Sequence, residues 1–480
     1  MTLHRTNFET HPVVAVIGGG FTGTMFALKY LRAQPRTRIF VIERSDRLGR
    51  GLAYGACSDF HVLNVPVRRM EMGLEPSFSS WLARHPAEIA EALVESGGDI
   101  GDAFVPRFLL GRYVEEQAIR ATARSNGFGI VHLRATATEL LDRATPGVRL
   151  DDGRKVHADI VVVATGNLPP RSPFAADNWV HGTDHFVADP WAPGAIDELD
   201  PADPVLLLGT GLTMIDVALK LSARRHRGPV LAVSRHGLLP HTYKIGGRWE
   251  STAPLRAASP RIFMRRLRGE MERAEAAGVS WQRVLDSIRP RIPEIWKSWS
   301  GRERQQFLRH LRTIWDTHRH RMAPRIAQKL EALRDSGQLR ILAGRVRDFR
   351  QTGAQVSAEI EPRGGGEPIN FAATRIFNCT GPRSDINGTD IPFITDLSRR
   401  GVMIRDPLGL GIETNDSTVL DSTGRPSSWL YALGSLTRPS QWEITSVAEL
   451  TAQIDRLTER VVANTRRAPW NSLHSLAKAV

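Results

Sequence analysis

Two cysteines in 480 residues, Cys57 and Cys379, set the first boundary on this chain. They can close one disulfide at most, and no C-x-x-C pair is present. A disulfide framework and the dithiol relay of a disulfide reductase are both excluded. Long apolar runs are absent as well, since no stretch approaches the roughly 18 consecutive apolar residues of a membrane span. The opening MTLHRTNFETH lacks the basic-then-apolar pattern of a signal peptide, so a cytoplasmic protein is expected. No short-period repeat or low-complexity tract appears, which leaves out solenoids and disordered tails. Nor is there a G-x-S-x-G hydrolase motif.

What is present is ordinary globular composition, 41% hydrophobic and 24% charged, in a chain long enough for two or three domains. The charge is lopsided. Net charge is +13, and Arg261–Arg340 alone holds 19 Lys and Arg against 9 Asp and Glu. This basic stretch lies in a helical block rich in Arg and Trp, about residues 256–338. Its charge reads as solvated helical faces beside anionic cofactors and an anionic substrate. No nucleic-acid-binding motif accompanies it, and no nucleic-acid partner is expected. Arg309, His310, His318, Arg319, His320 and Arg321 cluster there, and the expected role is a helix face over a cofactor cleft. No metal is expected: arginines flank the histidines and no carboxylate–His ligand spacing appears.

The N-terminal third opens with strand 13–17, helix Phe21–Leu31 and strand Thr37–Ile42, a βαβ unit. Between the first strand and helix, Gly18, Gly20 and Gly23 fill G-x-G-x-x-G positions. The first glycine permits the tight turn, the second lets backbone approach a pyrophosphate, and the third lets helix pack on strand. Glu43 ends the second strand where a carboxylate accepts hydrogen bonds from an adenosine ribose. Phe21, Thr22 and Arg44 complete this candidate site. Three candidate helices follow, FSSWLARHP, AEIAEALVES and RYVEEQAIRATAR. The short segments IVHLRA, GVRLDDG and KVHADIVVVATG then suggest a meander returning to the sheet.

After a proline-rich joint, NLPPRSP, the pattern repeats. Gly209, Gly211, Leu212 and Thr213 form a second glycine loop whose third glycine position is Met214. Its next strand ends in Ser234 and Arg235 with no carboxylate, which suits a 2′-phosphate and so NADPH over NADH. Two Thr-Gly strand ends, Thr165–Gly166 and Thr380–Gly381, and Gly434 before the last helix are further cofactor contacts. The fold expected is α/β: two dinucleotide-binding, Rossmann-like domains, the second inserted into the first, with a helical insertion. Residues 1–170 and 370–480 would form an FAD domain with a helical insertion at about 70–125. Residues 171–369 would form an NAD(P)H domain carrying the basic helical block.

IGGGFTG (17–23), GRGLAYG (49–55), HVLNVP (61–66), FVPRFLLGRYV (104–114), GTGLTMID (209–216), SRHGLLP (234–240), FLRHLRTIWDTHRHRMAP (307–324), NCTGP (378–382) and WEITSVAEL (442–450) are specific when taken together. In them the chain resembles bacterial FAD/NAD(P)-binding proteins of the YdhS-like type, and more distantly flavin-dependent N-hydroxylating monooxygenases. The resemblance implies FAD and NADPH. Some such relatives, the nitrosuccinate-forming N-oxygenases, oxidise the amine of an acidic amino acid with NADPH and oxygen. One departure is VHGTDHFVADPW (180–191), where His185 sits one residue early for the F-x-G-x-x-x-H segment of class B monooxygenases, and Val180 replaces its aromatic residue.

The expected activity is therefore NADPH-dependent FAD oxidoreduction, as a monooxygenase on a small, anionic or zwitterionic, carboxylate-bearing amine. The alternatives are a flavin dehydrogenase or reductase serving an organic acceptor or protein partner, and a non-catalytic FAD/NADP-binding sensor docking through Arg309, Arg319 and Arg321. Asn64 is a candidate polar contact near flavin or substrate, against a turn-capping role. Arg107 and Arg112 are candidate anchors for a substrate carboxylate, against surface ion pairing. No membrane partner is expected, and the oligomeric state stays open.

Overall fold

A computed structural model describes residues 2–3, 12–123, 127–142, 146–254 and 259–467. Most of the N-terminal segment, the end of RYVEEQAIRATAR, the start of the 256–338 block and the last residues of the 370–480 return lie outside them. Two seven-stranded sheets form the frame. In the first, parallel strands Pro426–Ala432, Ile160–Val163, Val13–Ile17, Arg38–Ile42 and Gly129–Leu133 lie side by side, with Val14 opposite Ile39 and Ile160. Their sequences are apolar almost without interruption because helices and loops cover both faces. Val14, Ala15 and Val16 have no solvent exposure. Helix Phe21–Ala33 packs on this sheet and against helices Arg107–Arg120 and Val447–Arg467. The remainder of the expected meander forms a small antiparallel sheet, Ala137–Leu140, Gly147–Leu150 and Lys155–His157, on the other face.

The second sheet is built on parallel strands Leu339–Thr352, Val230–Ser234, Val205–Leu208 and Arg375–Asn378. Leu208 lies opposite both Val233 and Asn378. The pairing of Arg375–Asn378 moves the domain boundary. This strand closes the second sheet, so the chain returns to the first domain after about residue 380, not 370. So short a strand, Arg-Ile-Phe-Asn, would serve either sheet equally well, and only the pairing decides. NCTGP accordingly belongs to the second unit. The two crossings run together, joined by a bridge between Leu168 and Arg383.

Between strands Val230–Ser234 and Leu339–Thr352 the described residues form six α-helices, from Pro260–Ala276 to Pro324–Asp335. Ser300 starts one of them with a reciprocal capping box, its side chain accepting from Glu303 N–H while Glu303 accepts from Ser300 N–H. The tryptophans here are core residues. Trp296, Trp299, Trp315, Phe263 and Phe307 enclose Trp442 of the returning C-terminal segment, which stacks on Trp296 at 4.7 Å. Each such burial contributes roughly 2–3 kcal/mol relative to exposure. The block is thus packed against the first domain as well as carried by the second.

Candidate functional site

The first glycine loop is shaped by close approaches. Gly18 has φ +100°, donates its N–H to Ile42 O at 2.9 Å, and a Cβ there would lie 2.4 Å from Ala164 O. A Cβ on Gly23 would lie 2.0 Å from Gly18 O, so only glycine lets the helix seat against the loop. Gly20 caps the helix without any side-chain acceptor. The first-turn amides around Phe21 and Thr22 thus lack a side-chain acceptor and could hold an anion. Glu43 is fixed beside them: Oε2 accepts from Gly19 N–H at 2.8 Å and Oε1 from Ser45 N–H at 2.9 Å. Each oxygen keeps a lone pair for a ribose hydroxyl. Arg44 is exposed beyond it. GRGLAYG forms an edge of the site that motif reading left without a role. Gly49 N–H donates to Gly19 O at 2.8 Å, and Gly51 Cα lies 3.4 Å from where a Gly20 Cβ would be.

Two other strand ends meet this loop. Gly434 lies beside Thr22, whose Oγ1 is 3.7 Å from its Cβ position, while its N–H is committed to Gln453 Oε1 at 2.9 Å. The Thr165 hydroxyl is buried with no hydrogen-bond partner, and Gly166 at φ +74° has open space where a Cβ would stand. An orphaned hydroxyl, an uncapped helix start and an anchored carboxylate fit an adenine dinucleotide such as FAD across the carboxyl ends of the strands.

The second loop repeats the geometry. Gly209 has φ +110°, and its Cβ would lie 2.5 Å from Cys379 O. Gly211 caps helix Leu212–Ala223 without a side-chain acceptor and faces open space, as does Gly381. Met214, at the third glycine position, is wholly buried. Thr380 and Gly381 lie on this site rather than on the first, with the Thr380 hydroxyl donating to Asn378 Oδ1 at 2.7 Å. Ser234 shapes the turn. Thr210 must donate to Leu238 O at 2.6 Å, so Ser234 donates its one proton to Thr210 Oγ1 at 2.8 Å. The outward donors are Arg235, which is exposed, and two residues that sequence reading missed, Arg345 and Arg363. All three surround His236, whose pKa is lowered by burial and then by Arg363, Arg235 and Arg345. Arg345 and Arg363 are brought there by strand pairing, which no local pattern signals.

Between the two sites runs a ladder in which Leu63 N–H donates to Val105 O and Arg107 N–H to His61 O. Asn64 is half-buried on it, and its side chain makes no hydrogen bond to the described residues. Arg107 is not free for a substrate. Its Nη2 contacts both oxygens of Asp216, at 2.8 and 3.0 Å, on the helix that follows the second loop. His61 Nδ1 accepts from Ser58 N–H, which leaves Nε2 to donate to Asp216 O at 3.1 Å. Burial lowers the pKa of His61 and favours this neutral tautomer. Arg107 thus joins the two dinucleotide units. Arg112 is engaged too, in a two-point pair with Glu88 at 2.7 Å.

The basic helical block also differs from expectation. Arg319 is buried against Glu443 at 3.0 Å and Glu449 at 3.1 Å, and Arg321 against Asp286 at 3.2 Å. Arg289 adds a second contact to Glu449. Arg319 and Arg289 hold the block to the C-terminal segment, and Arg321 braces it internally through helix Trp281–Ile288, so the sensor reading loses two of its three arginines. His320 is lowered in pKa by burial, and Asp316 is its nearest acid at 3.9 Å. His185 binds Thr374 O at the edge of the second sheet, away from either glycine loop. Both cysteines are free, and burial raises both thiol pKa values.

Residues 15–168 match a family of FAD-NAD(P)-binding proteins. That segment contains the first glycine loop, Glu43 and Thr165. Uncharacterised proteins of Mycobacterium bovis and Mycobacterium tuberculosis are each 23% identical over 471 residues, covering 84% of this chain and 86% of theirs. Solved structures share the whole architecture. An L-lysine 6-monooxygenase from Pseudomonas syringae superposes with TM-score 0.64 at 17% identity, over 95% of this chain and 100% of its own. An ornithine N-hydroxylase of Kutzneria sp. 744, solved with reduced FAD, NADP+ and L-ornithine, gives 0.62 at 15% identity over 95% and 99%. The FAD-bound cadaverine monooxygenase of Erwinia amylovora gives 0.65 at 11% identity over 95% and 94%. At these identities the likeness establishes the fold, that of two-dinucleotide flavoenzymes. No helix among the described residues is long and apolar enough to cross a membrane.

Proposed function

We propose that this chain is an NADPH-dependent FAD monooxygenase of the N-hydroxylating type, allied to the YdhS-like group, acting on a small amine that carries a carboxylate. The observation that carries this reading is the pair of uncapped glycine-loop helix starts, one per sheet, fixed relative to each other through Asp216. Gly18, Gly20, Thr22, Gly23, Glu43, Thr165 and Gly434 would hold FAD. Gly209, Gly211, Leu212, Thr213 and Gly381 would hold the pyridine nucleotide, with Arg235, Arg345 and Arg363 on the 2′-phosphate. FAD would supply the redox chemistry, accepting hydride from NADPH and passing electrons to oxygen. The chain's own task is positioning. The Arg107–Asp216–His61 contact fixes the nucleotide helix against the ladder that bears Asn64. The uncommitted Asn64 amide offers a donor and an acceptor at the substrate side. Two separate free thiols, Cys57 half-buried and Cys379 buried, both raised in pKa, give reduced flavin no dithiol exit, and the likeness to amine monooxygenases supports oxygen as the acceptor.

The test is direct. Purified protein should contain FAD, and anaerobic NADPH should bleach its visible absorbance. In air, NADPH oxidation should accelerate with an amine substrate and yield a hydroxylamine. Flavin that stays oxidised under anaerobic NADPH would refute the reading.

A further inference from the structure

Both arginines that the sequence offered for a substrate carboxylate are engaged by protein carboxylates. Another one is not. After Gly434 the chain makes a single 3₁₀ turn, Gly434–Thr437, and reaches Arg438. Its Nη1 donates to Ser384 Oγ at 2.9 Å, and its guanidinium lies 4.6 Å from the centroid of Trp442. Its Nε is sealed from solvent and has no hydrogen-bond partner. Among the described residues Arg438 forms no ion pair. The nearby acids are committed: Glu443 to Trp315 N–H at 2.6 Å and Arg319 at 3.0 Å, Asp316 to Arg312 at 3.4 Å. Arg312 approaches the same Trp442 ring at 5.8 Å, adding like charge. Burial and Arg312 push the Arg438 pKa down to about 10.

A cation so placed is costly unless an anion joins it. Its location says where that anion comes from. Ser384 belongs to the second interdomain crossing, Trp442 to the returning segment, and Arg312 to the helical block. Arg438 stands where the three converge, four residues from the glycine that touches the first loop.

We propose that Arg438 binds the carboxylate of an amino-acid substrate, with Trp442 as the platform under its guanidinium. This rests on the monooxygenase reading above. With Nε sealed and one Nη1 proton on Ser384, Nη2 and the second Nη1 proton are the donors left for a two-point carboxylate contact, while the guanidinium rests over the Trp442 ring.

The experiment compares FAD-loaded wild type, R438Q and R438K with L-ornithine, L-lysine and L-aspartate, each beside its α-carboxamide. Binding is read by calorimetry, and turnover by amine-stimulated NADPH oxidation. Wild type should favour at least one acid over its amide by about 10- to 100-fold. R438Q should erase that preference and R438K should recover part of it. Anaerobic flavin reduction by NADPH and NADP+ affinity should stay unchanged, and thermal melts should show all three proteins folded. An acid-to-amide ratio unchanged in R438Q overturns the proposal, as does a wild type that binds none of the three acids. A tenfold loss of NADP+ affinity in R438Q also overturns it, assigning the anion to a nucleotide phosphate. If wild-type flavin is not reduced by NADPH, the failure lies in the monooxygenase reading itself.

Discussion

Gly209 and Gly211 lie two residues apart, and the structure assigns them opposite kinds of work. Gly211 has φ −86° and ψ −168°, a conformation alanine adopts freely, and a Cβ there meets nothing within 4 Å. Gly211→Ala should therefore leave the protein folded, losing about 1 kcal/mol from the weaker helix start. If the open space is where a pyrophosphate approaches backbone amides, the methyl group will hold it off. One charge-assisted hydrogen bond lost or lengthened is worth about 1.5–3 kcal/mol, or about 10- to 100-fold in NADPH affinity. Gly209→Ala is the contrast. Its φ of +110° and a Cβ 2.5 Å from Cys379 O force the strand ends apart, at about 3 kcal/mol or more. Both variants should be assayed for FAD content, thermal midpoint and the NADPH dependence of anaerobic flavin reduction in a stopped-flow instrument. Gly211→Ala should keep its FAD and its midpoint and need far more NADPH. Loss of FAD from Gly211→Ala, or an unchanged NADPH dependence, would refute the assignment of the second loop.

Three further expectations concern other parts of the molecule. Replacing Arg235 and Arg345 together by alanine should weaken NADPH by about 100-fold and leave NADH almost untouched; parallel losses with both nucleotides would show that these residues do not read the 2′-phosphate. Burial, followed by the charge of Asp406, raises the pKa of Glu413. Folding therefore favours its protonated form, and this stabilisation is lost as pH rises from the unfolded value through the raised folded one. Glu413→Gln should accordingly melt higher than wild type at pH 8 and alike at pH 4, and a lower midpoint at both would contradict the sign. Because burial holds both thiols protonated, iodoacetamide at pH 8 should leave NADPH oxidation intact over hours; rapid inactivation would reopen a thiol mechanism.

How much of this was legible beforehand depends on the range of the interaction. The turn at Gly18, the close packing at Gly23 and the carboxylate of Glu43 are dictated within one βαβ unit, and the sequence spelled them out. The start of helix Arg107–Arg120 after Pro106 could also have been taken from the proline, which favours a first helical turn behind it. The strand Arg375–Asn378 could not be assigned, because a four-residue strand, Arg-Ile-Phe-Asn, carries no mark of its neighbour. Arg107, Arg319 and Arg321 were placed on a binding surface because nothing nearby in sequence neutralises them. Of their partners, Asp216 and Glu443 come from other units, and Asp286 from another helix of the same block, 35 residues away. Arg438 passed unnoticed for the converse reason: it looked like any arginine in a loop, and only the folded chain shows that no acid among the described residues forms an ion pair with it.

The bridge between Leu168 and Arg383 has a practical consequence for engineering. Entry to and exit from the inserted unit stand next to each other, the arrangement that ordinarily lets a module be cut out and the ends rejoined by a short linker. Here such a graft would strip the cover from Trp442 and strand Glu443 and Glu449 without their arginines. A chimera that exchanges nucleotide preference must therefore bring the six-helix block and the C-terminal segment from the same parent.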